Sequence, residues 1–203
     1  MSNPISWLKR MAALAKTGLF YVKDPFDKER YETFIELSAQ LLAERSGDDP
    51  ETIHSLLMSD DGYITPKIDV RGAVFRDDKI LLVKEASDGL WTLPGGWADV
   101  GDSPSEAVER EIWEESGYTA TATKLMAVED RKRRHPSYVF DVYKLFFLCE
   151  LTGGEATTSI ETTEVDWFAE DDLPPLSIGR VTAEQIARWF THYRQPELPT
   201  SFD

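Results

Sequence analysis

Gly95-Gly96-Trp97-Ala98-Asp99-Val100-Gly101-Asp102-Ser103-Pro104-Ser105-Glu106, continuing through Arg110-Glu111-Ile112-Trp113-Glu114-Glu115-Ser116-Gly117-Tyr118, is the stretch on which the reading of this chain turns. It reads as a glycine-bearing loop, a helix of about three turns and a stop. Ser103 is an N-cap, Pro104 suits the first helical position, Glu106 completes a capping box and Gly117 ends the helix. Glu106, Glu109, Glu111, Glu114 and Glu115 share this helix with a single base, Arg110. Like charges three or four residues apart repel by roughly 0.2–0.5 kcal/mol per pair, so Glu111 beside Glu114 and Glu115 calls for an offset. Helical spacing puts these three on the face that Ala107 and Val108 make apolar one turn earlier, and leaves Glu109 and Trp113 on the opposite, solvated side. Carboxylates turned partly inward need a partner or a cation, and three oxygen donors at this spacing suit Mg²⁺ or Mn²⁺. The plainer alternative is an acidic helix face held in water.

These residues resemble the Nudix hydrolase signature, G-x5-E-x7-R-E-U-x-E-E-x-G-U with U a bulky apolar residue. Gly96, Arg110, Glu111, Ile112, Glu114, Glu115, Gly117 and Tyr118 carry it. Asp102 stands where the pattern has its first glutamate, and the last position is aromatic. In the family that first acid supports the loop-helix-loop through the signature arginine, so the shorter side chain bears on the contact between Asp102 and Arg110 more than on the metal site. The resemblance implies an α/β/α sandwich with a mixed sheet over roughly residues 66–195. It also implies Mg²⁺ or Mn²⁺ held by Glu111, Glu114 and Glu115, with a backbone carbonyl near Gly96 as an extra ligand. Glu115 or Glu161 would accept the proton from water, and Arg110 would orient the acids.

The flanking sequence agrees with that architecture. After the helix, Thr119 to Glu129 and Tyr138 to Leu151 read as strands, the second apolar on both alternating sets and hence central and covered on both faces. Before it, Lys67 to Phe75 and Lys79 to Lys84 form a hairpin turning at Asp77-Asp78, and Trp91-Thr92-Leu93 is a short strand. Glu164 to Phe168 is one more strand. A helix from about Thr182 to Tyr193 opens with a second capping box, Thr182 and Gln185, and Gln195 to Asp203 reads as a loose tail. Residues 1–65 form a separate helical region, with helices over Ile5 to Ala15, about Asp27 to Arg45, and Pro50 to about Met58. Their apolar surface needs a partner: padding for the catalytic domain at 66–203, a homodimer interface or a wall of the substrate pocket.

Composition narrows the function classes. The 203 residues are 41% hydrophobic and 29% charged with a net charge of −15, which argues against broad nonspecific binding to DNA or anionic membranes. The one cysteine, Cys149, excludes an internal disulfide framework, and the apolar run at Met11 to Ala15 is too short for a signal or membrane segment. A cytoplasmic protein is expected. His54, His135 and His192 lack zinc-ligand spacing.

Outside the signature, Glu161 and Glu164 precede Trp167, and the loop position favours Glu161 as the further acid that the resemblance implies. Arg131-Lys132-Arg133-Arg134-His135 is a dense basic run in an acidic chain, either a solvated loop or a grip on substrate phosphate by Arg131 and His135. Arg71 is a second candidate for gripping substrate phosphate, because it lies in a largely apolar strand and needs an anionic partner or a route to water; the alternative is an Arg on a solvated strand face. Trp91, Trp97, Tyr138 and Phe140 offer rings to stack a nucleobase or to pack the core, with Trp97 the substrate-side candidate.

Lys16-Thr17-Gly18-Leu19, Asp27 to Tyr31, Gly62 to Arg71, Trp91 to Asp99 and Leu173 to Ser177 with Arg180 extend the resemblance to nearly the whole chain. They resemble a branch with a helical N-terminal extension that includes CDP-choline pyrophosphatases of bacilli. That branch implies cleavage of CDP-choline to CMP and phosphocholine by a homodimer, with RNA ends as a secondary substrate. ADP-ribose hydrolysis is the alternative reaction, and a nucleotide-sensing module without turnover is the alternative class. Sensor modules of this kind usually lose signature acids, which are kept here.

Overall fold

The computed structural model describes residues 4–59, 62–133 and 141–203. The chain divides into two compact units, Met1–Pro66 with Ser137–Asp141, and Lys67–Pro136 with Val142–Asp203. The first holds helices α1 (Pro4–Tyr21), α2 (Pro25–Ser46) and α3 (Pro50–Met58). Asp24 and Asp49 cap α2 and α3 through backbone amides, each followed by proline, and Gly47 ends α2 at φ 83°. Ala39, Leu42, Ala43 and Ile53 form the unit's small core with Ile5, Leu8 and Leu57. Helix α1 runs past the expected Ala15. Gly18 lies inside it as a close-packing point, where an added Cβ would meet the Tyr31 ring at 2.5 Å.

The second unit is a seven-stranded mixed sheet with a helix on each face. Its elements are β1 (Lys67–Arg76), β2 (Lys79–Glu85), β3 (Trp91–Thr92), α4 (Pro104–Ser116), β4 (Tyr118–Asp130), β5 (Val142–Gly154), β6 (Thr162–Phe168), α5 (Ala183–Arg194) and β7 (Ser201–Phe202). The order is β3-β2-β1-β5-β4-β7, with β6 also paired to β2. β1 runs parallel to β5 and β7 parallel to β4, and the remaining pairs are antiparallel. Asp77 (φ 51°) and Asp78 (φ 57°) both take the left-handed conformation that a two-residue hairpin turn of type I′ demands.

β5 is central, and its alternation serves two cores. Phe146 packs with Trp189, Phe190 and Ile186 beneath α5, while Phe147 and Cys149 pack with Val108 and Ile112 beneath α4. The C-terminal segment is not a loose tail. Ser201 and Phe202 pair with Ala127 and Val128 at the sheet edge, and the Thr200 hydroxyl donates to the Leu125 carbonyl at 2.6 Å. Among the described residues no helix is long and apolar enough to cross a membrane.

Candidate active site

The loop before α4 is laced to β1. Gly72 N–H donates to the Pro94 carbonyl at 2.9 Å, Val70 N–H to the Gly96 carbonyl at 2.8 Å and Ala98 N–H to the Ile68 carbonyl at 3.0 Å. Gly95 sits at φ +141°, where an added Cβ would lie 2.1 Å from the Val70 carbonyl oxygen. At Gly96 an added Cβ would meet the Glu111 carboxylate at 2.8 Å, so the absence of a side chain is what lets that acid reach the loop. The helix follows through the expected capping box of Ser103 and Glu106 and closes on Gly117 at φ 75°.

The three signature acids are graded in exposure and are not uniformly turned inward. Glu115 is buried and accepts the Gly95 amide at 2.8 Å. Burial pushes its carboxyl up to about 8, against the pull of Arg71 and the Gly95 amide. Glu111 is largely shielded, and burial raises it too, opposed by Arg110. Glu114 keeps 46% of its side chain exposed. Arg110 collects the acids around it: Nη1 donates to Glu111 at 2.9 Å and to Glu114 at 3.0 Å, Nε to Asp102 at 3.1 Å, and Nη2 lies 3.4 Å from Asp99. The shorter Asp102 therefore still reaches the signature arginine.

Glu109 departs from the solvated role expected of it. Its carboxylate accepts the Ala122 amide at 2.8 Å, where the β4–β5 register shifts between Ala122 and Lys124. At this bulge the helix thus supplies an acceptor to the strand amide.

Among the described residues, no three His, Cys, Asp or Glu side chains stand gathered as a metal cage. The chemistry of the donors nevertheless fits a hard divalent ion. Glu111 and Glu115 are desolvated carboxylates, Glu111 adding to the proton affinity of Glu115, and Gly96 leaves the Glu111 oxygens against open backbone.

The structure distributes the other candidates unevenly. Glu161 is exposed, and its carbonyl accepts the Ala86 amide at 2.8 Å; its neighbour Thr162 donates from Oγ1 to the Glu115 carbonyl at 2.7 Å. The 160s segment is thereby tied to the end of α4. Arg71 finds its anionic partner inside the fold: Nε and Nη2 pair with Asp69 at 2.9 and 3.1 Å, Nη1 donates to the Leu93 carbonyl, and the residue is buried. It is an internal ion pair and not a surface grip. Arg131 donates to the Gly179 carbonyl at 3.2 Å, and Trp97, 45% exposed, bridges to Asp69 through its backbone. His135, Tyr138 and Phe140 lie outside the described residues. Glu85, which the sequence reading did not single out, ends β2 buried beside these acids and pairs with Arg180 at 2.9 Å. Its one signal was an acid closing an apolar strand.

Residues 66–190 match the family described as NUDIX domain, and residues 4–57 the family described as UDP-X-like, N-terminal oligomerisation domain. The chain belongs to the Nudix family. A Bacillus subtilis protein provisionally named an ADP-ribose pyrophosphatase is 47% identical over 201 residues, 97% of each chain. A solved structure titled an ADP-ribose pyrophosphatase from Streptococcus suis is 45% identical with TM-score 0.64, covering 68% of this chain and 100% of its own. Another, titled UDP-X diphosphatase, is 37% identical with TM-score 0.65 over 98% of this chain and 97% of its own. This Nudix protein is thus a pyrophosphohydrolase with a helical N-terminal extension.

Proposed function

We propose that this Nudix enzyme uses Mg²⁺ or Mn²⁺ to hydrolyse the pyrophosphate linkage of a nucleoside 5′-diphosphate carrying a second small group. The observation that carries the proposal is the desolvated pair Glu111 and Glu115, one against Gly96 and the other on the Gly95 amide, beside Glu114 on the same helix. Glu111, Glu114 and Glu115 would hold the ion, with the Gly96 carbonyl as a further donor. A bound divalent ion offsets charge on the nonbridging phosphate oxygens and lowers the pKa of a water. Arg110 keeps the acids oriented through its contacts with Asp102, Glu111 and Glu114. Glu115 or Glu161 takes the proton of the attacking water, since both belong to segments joined at the end of α4. Trp97 offers an exposed ring for stacking, and Arg131 with His135 supplies positive charge for phosphate.

Relatives named for ADP-ribose and UDP-X favour those substrates, as does the UDP-X-like family that residues 4–57 match, whereas the resemblance of sequence pieces across the whole chain favours CDP-choline. All share the nucleoside 5′-diphosphate, so the class is the conclusion, and RNA ends are a secondary substrate. We place the enzyme in the cytoplasm as a homodimer. The dimer reading is supported by apolar stripes on the helical unit, Trp7, Met11 and Leu14 on α1 and Phe34, Leu37 and Leu41 on α2, all exposed at helical spacing. Retention of every metal-binding signature glutamate argues against a sensor without turnover. The deciding experiment measures Mg²⁺- and Mn²⁺-dependent turnover of ADP-ribose, CDP-choline, UDP-sugars, NADH and capped RNA. Hydrolysis of one diphosphate class is expected, and uniform inactivity with nucleotide binding retained would favour the sensor.

A further inference from the structure

Arg180 lies outside the signature, yet its guanidinium ties together the end of β2, the turn after it and the turn before α5. Nε donates to Glu85 at 2.9 Å, Nη1 to Asp88 at 2.9 Å and to Ser177 Oγ at 2.9 Å, and Nη2 to Ser87 Oγ at 3.1 Å. Ser177 Oγ also donates to Asp88 at 2.7 Å, and the buried Lys144 ammonium donates to the Arg180 carbonyl. A planar fork held at every nitrogen on one segment or another acts as a clamp, even with 31% of the side chain exposed.

What the clamp holds is adjacent to the acids. Glu85 pairs with Thr162 in the β2–β6 ladder, at a register shift between Lys84 and Glu85, and bulges of this kind re-aim side chains beside sites. The next residue, Ala86, donates its amide to the Glu161 carbonyl, and Thr162 donates to the Glu115 carbonyl. The chain of contacts therefore runs from Arg180 through residues 85–88 to Glu161 and to the end of α4. Glu85 is raised by burial, with Arg180 and Arg71 opposing, and it in turn raises Glu115.

We propose that Arg180 is a positioning residue for the hydrolysis, acting through Glu85 and the 85–88 turn to fix Glu161 and Glu115 relative to each other. The inference rests on the pyrophosphatase reading above. Outer partners of this kind are worth 10–100-fold in activity or metal affinity.

The test uses the full chain with Arg180→Gln, Arg180→Lys, Glu85→Gln and the Glu85→Gln/Arg180→Gln double variant. On the substrate that the wild type turns over best, kcat and KM are measured, with Mn²⁺ binding followed by calorimetry and folding by thermal melting. Arg180→Gln is expected to lower kcat about 10- to 100-fold with KM within about threefold. Mn²⁺ binding should not weaken, because a cation has been removed from beside carboxylates. Glu85→Gln should match Arg180→Gln, the double variant should be no worse than either, and Arg180→Lys should recover part of kcat. Unchanged kcat, a rise in KM alone, additive losses, or loss of Mn²⁺ binding in step with melting would each overturn the proposal. A wild type inactive on every diphosphate would instead overturn the function on which it rests.

Discussion

Gly96→Ala should separate catalysis from folding at this site. The added Cβ would stand 2.8 Å from Glu111 Oε2, 3.1 Å from its Cδ and 3.2 Å from Oε1, while ordinary contact begins near 3.4 Å. The methyl meets the free end of a side chain, and Gly96 has no positive φ, so the backbone tolerates alanine. Glu111 must then retreat by about half an ångström from the loop, and a misplacement of about 1 Å can reduce rate 10²-fold. A loss of about 10- to 100-fold in kcat/KM follows, with stability within about 1 kcal/mol of wild type, because Gly→Ala also restricts the unfolded chain. For a chain of this length that is a shift of only about 2–4 °C in Tm. Gly95→Ala is the control with the opposite pattern. Its Cβ would lie 2.1 Å from a backbone oxygen at φ +141°, so strain and overpacking should destabilise by roughly 3–5 kcal/mol, a drop of about 10 °C. Melting curves and metal-dependent turnover on both variants check the pair. Full activity in Gly96→Ala, or an activity loss that merely follows its Tm, would refute the role given to the Glu111–Gly96 contact.

Glu115→Gln keeps an acceptor for the Gly95 amide while removing the charge, so turnover should fall at least about 100-fold with no loss in Tm; unchanged Mg²⁺-dependent turnover would remove Glu115 from the metal set. Burial holds Lys144 down to about 7, Asp69 opposing and Arg71, Arg131 and Arg180 adding to it. The unfolded chain keeps that proton up to its ordinary value, so the penalty is full below pH 7 and fades as pH rises towards 10. Relative to Lys144→Met, wild-type stability should rise across that window, and parallel curves in denaturant titrations would contradict it. Leu14→Glu with Leu37→Glu places charge on both exposed stripes and should give a monomer by light scattering; an unchanged mass would move the interface elsewhere.

Most of this architecture was legible because its signals are local. The capping box of α4, the Asp77-Asp78 turn and the two-sided apolarity of β5 are each written within a few consecutive residues. Asp69 and Arg71 sit two apart on one strand and so share a face, a pairing that alternation alone could have supplied. The misses are long-range. Nothing near Glu109 marks the bulged amide of Ala122, nothing near Ser201 marks the edge of β4, and Glu85 meets an arginine from the far end of the chain. A carboxylate's partner in a sheet is set by register, which hydrophobic pattern fixes for faces but not for ends.

The substitution of Asp102 for the signature glutamate shows how such a change is absorbed. A shorter acid gives up about one methylene of reach, and the guanidinium compensates because its donors fan out in several directions. Nε takes Asp102, Nη2 approaches Asp99, and Nη1 remains for Glu111 and Glu114. Four carboxylates thus share one cation whose own proton is held more tightly by them. Glu115 stands outside that set, on a backbone amide, and it is the acid that burial raises furthest towards neutrality. Arg110 thus has more carboxylates around it than one cation can neutralise. Asp102 supports the arginine, and Glu111, Glu114 and Glu115 are the acids a divalent ion would serve.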